Sequence, residues 1–386
     1  MDFFQKSLEL HKKLQWKIST ELKTDISSKE DLSIVYSPGV AEPCREIAKD
    51  KNKVYDYTMK WNTVAVISDG SAVLGLGNIG PEAGLPVMEG KCALFKKFAG
   101  LNAFPIVLDT QDTEDIIRTI KNIAPVFWGI NLEDISAPRC FEIEERLKNE
   151  LDIPVFHDDQ HGTAIVCLAG LINALRVVGK QKEEIKVVVN GVGAAGVAIT
   201  RLLLLYWVKD IVVVDTAGSI YKWREGLNPV KEMLTNVTNT ACILDPGSKQ
   251  CIRWGLSEAL IEADVFLWVS APGVLTQDMV RTMNTDAIIF AMANPTPEIM
   301  PELAYQAGAK IVATGRSDYP NQINNVLVFP GIFKWALEKR ISKITDTMKI
   351  QAAQALAWLV ASPSAEKIIP GPFEDGIVEV IAASIK

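Results

Sequence analysis

Short runs of β-branched residues alternate with stretches of helical periodicity through the first half of the chain. The β-branched runs lie at residues 63–68, 104–108, 126–130 and 154–156. Helical patterns fill residues 114–123 and 138–151 between them. This alternation is typical of a parallel sheet whose strands are joined by crossover helices. It predicts an α/β lobe.

A second alternation begins after residue 156. An apolar helical pattern covers residues 162–178, and after it come a strand at 185–190, a glycine-rich turn, a helix at 194–207 and a strand at 211–215. Further strands are predicted at 265–270, 287–291 and 310–313. Together they predict a Rossmann-type, doubly wound domain.

The pattern changes again after Gly315. Helices are predicted at residues 333–339 and 346–360, and we expect them to pack back on the first lobe because the second is already closed. A chain of 386 residues is too long for one ordinary core, so two lobes are expected. The predicted division is 1–160 for a substrate and metal domain, 161–325 for the dinucleotide domain, and 326–386 for the returning helices. Residues 1–30 have amphipathic spacing, which predicts a helix for packing or a subunit contact.

The net charge, the apolar runs and the cysteines limit the partners and the compartment that we expect. The net charge is -7 and no basic stripe is present, so nucleic acid is not an expected partner. Apolar runs fall short of the ~20 residues that span a bilayer, so no membrane association is expected. The six cysteines are scattered, which predicts reduced core residues. These features predict a protein of the cytoplasm or of another reducing compartment.

The segment Gly191-Val-Gly-Ala-Ala-Gly196 directly follows a β-branched strand and opens an apolar helix. Gly191 can make the tight turn, Gly193 allows close approach of a pyrophosphate, and the helix N-terminus offers free N–H groups. Asp215 ends the next strand, where it can accept hydrogen bonds from ribose hydroxyls or, alternatively, cap a turn. An acid there repels a 2′-phosphate and favours NAD, while Lys222 and Arg224 keep NADP possible.

Acidic and amide side chains follow several predicted strands, where ligands of open α/β folds collect. These segments are Asn131-Leu-Glu-Asp134, Phe156-His-Asp-Asp-Gln-His-Gly162 and Asn294-Pro-Thr-Pro297. Paired carboxylates suit Mg²⁺ or Mn²⁺, although a lone acid at such a place is more commonly a helix cap. His157 and His161 are candidate ligands or bases, with local hydrogen bonding as the alternative.

Residues 68–84 contain five glycines after a strand, so the backbone must approach another group closely there. Lys91 follows in an apolar run. A lysine is usually a surface charge, but one beside a metal in apolar surroundings can shift towards its neutral form and act as a base.

Five separated blocks of the sequence resemble the small bacterial and archaeal malic enzymes, from about Asp31 to Ile377. They are Tyr36-Ser-Pro-Gly-Val-Ala-Glu-Pro-Cys44, residues 68–84 with Lys91, Asn131-Leu-Glu-Asp-Ile-Ser-Ala-Pro-Arg139, Phe156-His-Asp-Asp-Gln-His-Gly-Thr-Ala164 and Gly315-Arg-Ser-Asp-Tyr-Pro-Asn-Gln-Ile-Asn-Asn325. The chain departs from the family pattern at Tyr206-Trp207, where a small residue and glycine are usual, and at Trp335-Ala336.

The resemblance implies a role for each matching residue. Glu133, Asp134 and Asp159 would bind the metal, and Asp158 would support Lys91 as the general base. Tyr36 would be the general acid. The dinucleotide would contact Gly191, Gly193, Ala194, Ala195, Gly196, Asp215 and Asn294. Asn294, Asn324 and Asn325 would contact substrate. The family also implies a homodimer, with Tyr36 reaching a neighbour's site.

The implied reaction is the metal-dependent oxidative decarboxylation of L-malate to pyruvate and CO₂ with NAD or NADP, through oxaloacetate and enolpyruvate. Lys91 would take the C2 hydroxyl proton while hydride leaves C2, and Tyr36 would protonate C3 of the enolate. Two alternatives remain from the residues alone. A plain 2-hydroxy-acid or amino-acid dehydrogenase would not need three carboxylate ligands, and a non-catalytic dinucleotide sensor would bind NAD without turnover.

Overall fold

A computed structural model describes residues 3–15, 17–248, 250–268, 273–293 and 296–385. Within them the chain forms two parallel-type sheets, one in each half. The first sheet has four strands in the order β2-β1-β3-β4, all parallel. Its strands are β1 (Thr63–Ser68), β2 (Asn102–Val107), β3 (Gly129–Leu132) and β4 (Val155–His157).

The second sheet has six strands in the order β10-β9-β8-β5-β6-β7. They are β5 (Lys186–Asn190), β6 (Asp210–Asp215), β7 (Gly218–Ser219), β8 (Val265–Trp268), β9 (Ile288–Ala291) and β10 (Ile311–Thr314). All pair in parallel except β7, which turns back on β6. The strand order reverses beside β5, which confirms the doubly wound fold class. Every strand predicted from sequence is present among the described residues, although β3 begins three residues later than predicted and residues 269–270 of the strand predicted at 265–270 lie outside the described residues.

Helices cover both sheets and make up the ends of the chain. In the first half they are α1 (Phe3–Leu14), α2 (Lys29–Val35), α3 (Ala41–Lys49), α4 (Val54–Tyr57), α5 (Pro81–Leu94), α6 (Thr113–Ile123), α7 (Arg139–Glu150) and α8 (Asp158–Val178). In the second half they are α9 (Ala194–Leu205), α10 (Pro229–Leu234), α11 (Ala241–Leu244), α12 (Leu256–Leu260), α13 (Gln277–Arg281), α14 (Pro301–Gln306), α15 (Phe329–Glu338), α16 (Asp346–Trp358) and α17 (Ile377–Ser384). Short 3₁₀ turns occur at Lys51–Lys53, Met59–Asn62, Ala124–Val126 and Asn325–Leu327, and a π turn at Phe95–Ala99.

Helix α8 joins the two halves. It starts directly after β4 and runs unbroken to Val178, so the predicted boundary at 160/161 falls within its first turn. Among the described residues it is the one helix long and apolar enough to cross a bilayer, but 72% of its apolar window is buried inside the fold. Such burial is typical of a core helix. Asn173 in its middle donates to the carbonyls of Ala357 and Ile368, which fastens the C-terminal segment to it.

The N-terminal helices α1, α2 and α3 contain no buried residue. Large apolar side chains on this segment are strongly exposed, including Phe3, Phe4, Leu8, Leu32 and Ile34. Of the helix predicted over residues 1–30, the structure shows α1 (Phe3–Leu14) and the first two residues of α2, with no helix among the described residues between them. A face this apolar is typical of a protein–protein contact.

The cysteine prediction was wrong at three positions. Cys242 and Cys251 form a disulfide, which their positions on α11 and the following turn allow, with Cα atoms 4.4 Å apart. Cys44 is exposed rather than in the core, while Cys92, Cys140 and Cys167 are buried thiols as expected.

Candidate active site

A cleft of about 820 Å³ lies between the two sheets. Residues from both halves of the chain line it, and they include Lys91, Glu133, Asp134, Asp159, Gly193, Ala194, Ala195, Asn324 and Asn325. The predicted acidic cluster and the predicted dinucleotide loop therefore share one cleft. Its volume is in the range of cavities that hold small ligands.

Three carboxylates converge at the base of this cleft. Glu133 and Asp134 follow β3, Asp159 lies in the first turn of α8, and their ligand oxygens lie within 4.8 Å of one another. Asp134 adopts a left-handed backbone conformation (φ 55°), and its amide donates to Asp159 Oδ2 at 2.7 Å. Asp134 Oδ2 is buried, with no hydrogen-bond partner among the described residues. Carboxylate oxygens arranged in this way match the hard ligands that Mg²⁺ and Mn²⁺ prefer, so the residues fit a divalent cation.

Burial makes these carboxylates reluctant to ionise. It raises the pKa of Asp134 to about 9 and that of Asp159 to about 6, and the charges of neighbouring acids add to the effect at both. The pKa of Glu133 is raised for the same reason. A cation bound among them would reverse this preference because its charge favours the ionised form.

Lys91 is on α5, and its side chain lies beside the carboxylates. Its ammonium is 2.6 Å from Asp158 Oδ2 and 2.9 Å from Glu133 Oε1, and the side chain is 7% exposed. Burial alone would lower the pKa of Lys91, but Asp158 and Glu133 outweigh burial and raise it. The expected shift towards the neutral form is therefore absent while both carboxylates face the ammonium. The pKa of Asp158 is itself raised to about 7 by burial.

Close packing holds Asp158 against the next turn of α8. A β-carbon at Gly162 would lie 1.9 Å from Asp158 Oδ1, so only glycine fits there. His157, at the N-terminus of the same helix, is fully buried, and among the described residues neither of its ring nitrogens has a hydrogen-bond partner. Burial lowers its pKa, which favours the neutral ring.

The glycine-rich segment at residues 68–84 lines the same cleft through Ala72, Leu74 and Gly75. Gly70 is left-handed (φ 69°), and a β-carbon there would lie 2.2 Å from the carbonyl oxygen of Gly80. Arg139 fixes this loop by donating to Asp69 Oδ2 at 2.9 Å and to the Ser71 hydroxyl at 3.0 Å. The amide of Ala72 donates to the Asp134 carbonyl, which ties the loop to a candidate metal ligand.

The glycines of the dinucleotide loop take the predicted positions. Gly191 is left-handed (φ 119°) at the end of β5, and Gly193 is the N-cap of α9. Ala194 and Ala195 form the first turn of the helix and face the cleft, and Gly196 is buried behind them. The N-terminus of α9 therefore lies at the cleft, and the first N–H groups of a helix have no partner within the helix and can bind an anion.

Asp215 ends β6 as predicted, but cations already surround its carboxylate. Arg224 donates to both oxygens at 2.8 and 2.9 Å, and Lys231 lies 2.6 Å from Oδ2. Burial raises the pKa of Asp215, but the bonds from Lys231 and Arg224 outweigh it and lower the pKa. The sequence indicated Arg224 as a cation near Asp215, but it did not indicate Lys231. Lys231 reaches Asp215 from α10, 16 residues further along the chain.

Two of the three asparagines predicted to contact substrate line the cleft. Asn324 caps the 3₁₀ turn at Asn325–Leu327 by accepting from Val326 N at 2.9 Å, and both Asn324 and Asn325 line the cleft. Asn294 lies outside the described residues. Its neighbour Ala293 lines the cleft and donates to the buried carboxyl of Glu298.

Tyr36 follows α2 in the exposed N-terminal segment. Its side chain is 69% exposed, and it is not among the described residues that line the cleft. One chain therefore brings together Lys91, Asp158 and the carboxylates, but it does not bring Tyr36 to them.

Comparison with known proteins gives matches along the whole chain. The family model described as "Malic enzyme, N-terminal domain" matches residues 11–148, and that described as "Malic enzyme, NAD binding domain" matches residues 160–379. A bifunctional malic/malolactic enzyme of Bacillus subtilis is 55% identical over 388 residues, covering 100% of this chain and 92% of the relative. An NADP-dependent malic enzyme of Halomonas elongata is 45% identical, covering 97% of this chain and 86% of the relative.

Solved structures agree with these matches. The crystal structure of an NAD-dependent malic enzyme from Thermotoga maritima superposes on this chain with a TM-score of 0.93 at 49% identity, covering 98% of each chain.

Proposed function

The chain belongs to the malic enzyme family and oxidatively decarboxylates L-malate to pyruvate and CO₂ with reduction of a nicotinamide dinucleotide, and we propose that the cleft around Lys91 is its active site. The observation that carries the proposal is the position of Lys91. It is hydrogen-bonded to Asp158 and Glu133 in the same cleft that the dinucleotide loop lines.

The test is product balance. Purified protein with Mn²⁺, NAD and L-malate should form NADH and pyruvate in equal amounts. NADH with oxaloacetate and no pyruvate would instead indicate a plain dehydrogenase, and NAD binding with no product would indicate a sensor.

We assign the proton transfers to residues of the cleft. Lys91 accepts the C2 hydroxyl proton as hydride leaves for the nicotinamide ring, and Asp158 holds the resulting ammonium. Tyr36 delivers a proton to C3 after CO₂ has left. Asn324 and Asn325, which also line the cleft, orient the substrate together with Asn294.

Glu133, Asp134 and Asp159 would hold the divalent cation. When bound, it would supply positive charge beside the C2 oxygen, which favours deprotonation and stabilises the negative charge left by decarboxylation. Its positive charge would also favour the neutral form of Lys91, which the carboxylates of Asp158 and Glu133 otherwise disfavour.

The stabilising effect of Mn²⁺ is expected to grow as pH rises. Because the folded-state pKa of Asp134, about 9, exceeds its ordinary 3.8, folding of the metal-free protein takes up protons and its stability falls as pH rises over that interval. Fewer protons must be displaced by Mn²⁺ at high pH. Thermal unfolding with and without Mn²⁺ measures this effect. The rise in Tm that Mn²⁺ causes should be larger at a pH just below 9 than at a pH midway between 3.8 and 9.

The matched control for this experiment is Asp159→Asn, which removes one candidate ligand while keeping the side-chain size. Its Tm should respond little to Mn²⁺ at either pH. A wild-type response that is equal at both values, or larger at the lower pH, would count against these three ligands.

We propose that NAD is the preferred cofactor because Asp215 retains a negative charge at the ribose end of the site. Arg224 and Lys231 form ion pairs with the Asp215 carboxylate. If that carboxylate were removed, both cations would be free to bind the 2′-phosphate of NADP. Asp215→Ser is therefore expected to lower kcat/KM for NAD by about 10-fold or more and to raise it for NADP, on the scale of one charged hydrogen bond. Steady-state rates with both cofactors measure this change.

Asp215→Ser/Arg224→Met provides the control for the cofactor experiment. It should lose most of the gain with NADP. If the single variant gained nothing with NADP, these cations would have no part in cofactor choice.

We propose a homodimer in which the apolar N-terminal segment of one copy covers the other. The support is the exposed apolar face of α1 to α3 together with the position of Tyr36 on that segment, away from its own cleft. In such a dimer Tyr36 would complete the partner's site.

We also propose a role for each of the three segments and a cytoplasmic location for the protein. Residues 1–160 would bind malate and metal, residues 161–325 would bind the dinucleotide, and residues 326–386 would pack back on the first lobe. A cytoplasmic location would supply the dinucleotide and reoxidise it. Reduced cysteines no longer support that location because Cys242 and Cys251 are paired.

A further inference from the structure

Glu144 is a buried carboxylate on α7 that the mechanism does not use. Its side chain is 6% exposed and lies on the far side of the first turn of α8 from the cleft. It borders a separate cavity of about 160 Å³ between α7, α8, α9 and α16. A buried carboxylate requires several partners to offset its desolvation.

Most partners of Glu144 belong to the turn that carries Asp158 and Asp159. The amide of His157 donates to Glu144 Oε1 at 3.1 Å, and the Gln160 side chain donates to Oε2 at 3.3 Å. His161 Nε2 lies 2.8 Å from Oε1. The residues before and after the pair of aspartates are thus held by one carboxylate.

One cation completes the arrangement from α7 itself. Lys148, one turn along from Glu144, places its ammonium 2.6 Å from Oε1. Burial raises the pKa of Glu144, but His161 and Lys148 outweigh burial and hold it well below the usual range. Nε2 of His161 also lies 3.2 Å from the Lys148 ammonium, so Glu144, Lys148 and His161 form one connected cluster.

We infer that Glu144 is a positioning residue for the reaction. It sets the orientation of Asp158 and Asp159 through its contacts with the His157 amide before them and with the Gln160 and His161 side chains after them. The inference rests on the proposed function of those two aspartates. Asp159 is a candidate metal ligand and Asp158 the partner of Lys91, so a shift of this turn would disturb both together. Groups that orient metal ligands from behind commonly contribute about 10- to 100-fold to metal affinity or activity.

The test compares Glu144→Gln with Glu145→Gln. The first substitution keeps an acceptor for His157 N but removes the charge that holds Lys148 and His161. Glu145 is the adjacent residue, borders the same cavity and makes its side-chain contact with Asn149 rather than α8, so it is a matched control. Lys148→Met is a second, milder variant in case Glu144→Gln does not fold.

Mn²⁺ binding is measured first, by the electron paramagnetic resonance signal of free Mn²⁺ without malate or cofactor. Glu144→Gln should raise the Kd for Mn²⁺ by about 10-fold or more, and kcat should fall with little change in the Kd for NAD. Lys148→Met should move both quantities in the same direction by less, and Glu145→Gln should move neither.

A purely structural role predicts a different result. Tm would fall in Glu144→Gln while the Kd for Mn²⁺ and kcat of the folded protein stayed at wild-type values, which would overturn the inference. If wild-type protein bound Mn²⁺ but formed no pyruvate, the proposed reaction would fail while the binding comparison still tested Glu144. If wild-type protein did not bind Mn²⁺, both would fail.

Discussion

Lys91→Ala is expected to lower kcat for malate oxidation by about 10²- to 10⁴-fold, the range that general bases contribute. The ammonium lies between Asp158 and Glu133, and no other lysine lines the cleft among the described residues. The Kd for NAD should stay unchanged because the dinucleotide loop is on the other sheet. Turnover by NADH absorbance and NAD binding by fluorescence measure the two quantities.

Lys97→Ala is the matched control for this variant. Lys97 is exposed on the π turn that follows α5, so its removal deletes the same charge without touching the carboxylates. It should retain wild-type kcat. Full activity in Lys91→Ala, or loss of NAD binding together with activity, would remove Lys91 from the assigned role.

Two inactive variants are expected to restore activity when they are combined. Tyr36→Phe lacks the proposed proton donor and Lys91→Ala lacks the proposed base. If Tyr36 completes the partner's cleft, a hybrid dimer has one site with both residues intact. Unfolding and refolding an equal mixture should therefore give about one quarter of wild-type activity, because half the dimers are hybrids with one competent site each.

The refolded single variants are the controls, and each should remain inactive. No recovery in a mixture shown to contain hybrid dimers would place Tyr36 in its own chain's cleft. A monomeric wild-type protein would exclude the shared site altogether.

The strands were the most predictable part of this fold. Runs such as Thr63–Ser68 and Lys186–Asn190 are β-branched, bounded by turn residues and buried on both faces, so local sequence alone marks them. The helix α5 was missed because glycines and Pro86 break its pattern, although Lys91 lies on it. There tertiary packing outweighs weak helix propensity.

The acidic cluster was predictable because its members end strands or begin the following helix. Glu133 and Asp134 follow β3, and Asp159 follows β4, the neighbouring strand in the sheet. Topology therefore brings them together without further information. The alternative interpretation of these acids as helix caps is wrong, because the N-cap of α8 is His157 and Asp158 and Asp159 lie within the first turn of the helix.

Supporting residues could not be found in this way. Glu144 looks like any acid on an amphipathic helix, and Lys231 is separated from Asp215 by a loop and an N-cap. Their contacts depend on how elements pack. Arg139 lay within a block that resembles the family, but nothing local indicated that it would reach back to Asp69.

The continuity of α8 bears on how cofactor preference could be engineered by recombination. The helix presents Asp158 and Asp159 at one end and is fastened by Asn173 to the C-terminal segment further along. A chimera joined at residue 160 would pair the proposed metal-binding turn of one parent with the helix body of another. A crossover at Gly179, whose left-handed conformation ends the helix, would keep the proposed catalytic aspartates of each parent on that parent's own helix. It would exchange the strands of the NAD-binding domain as a unit.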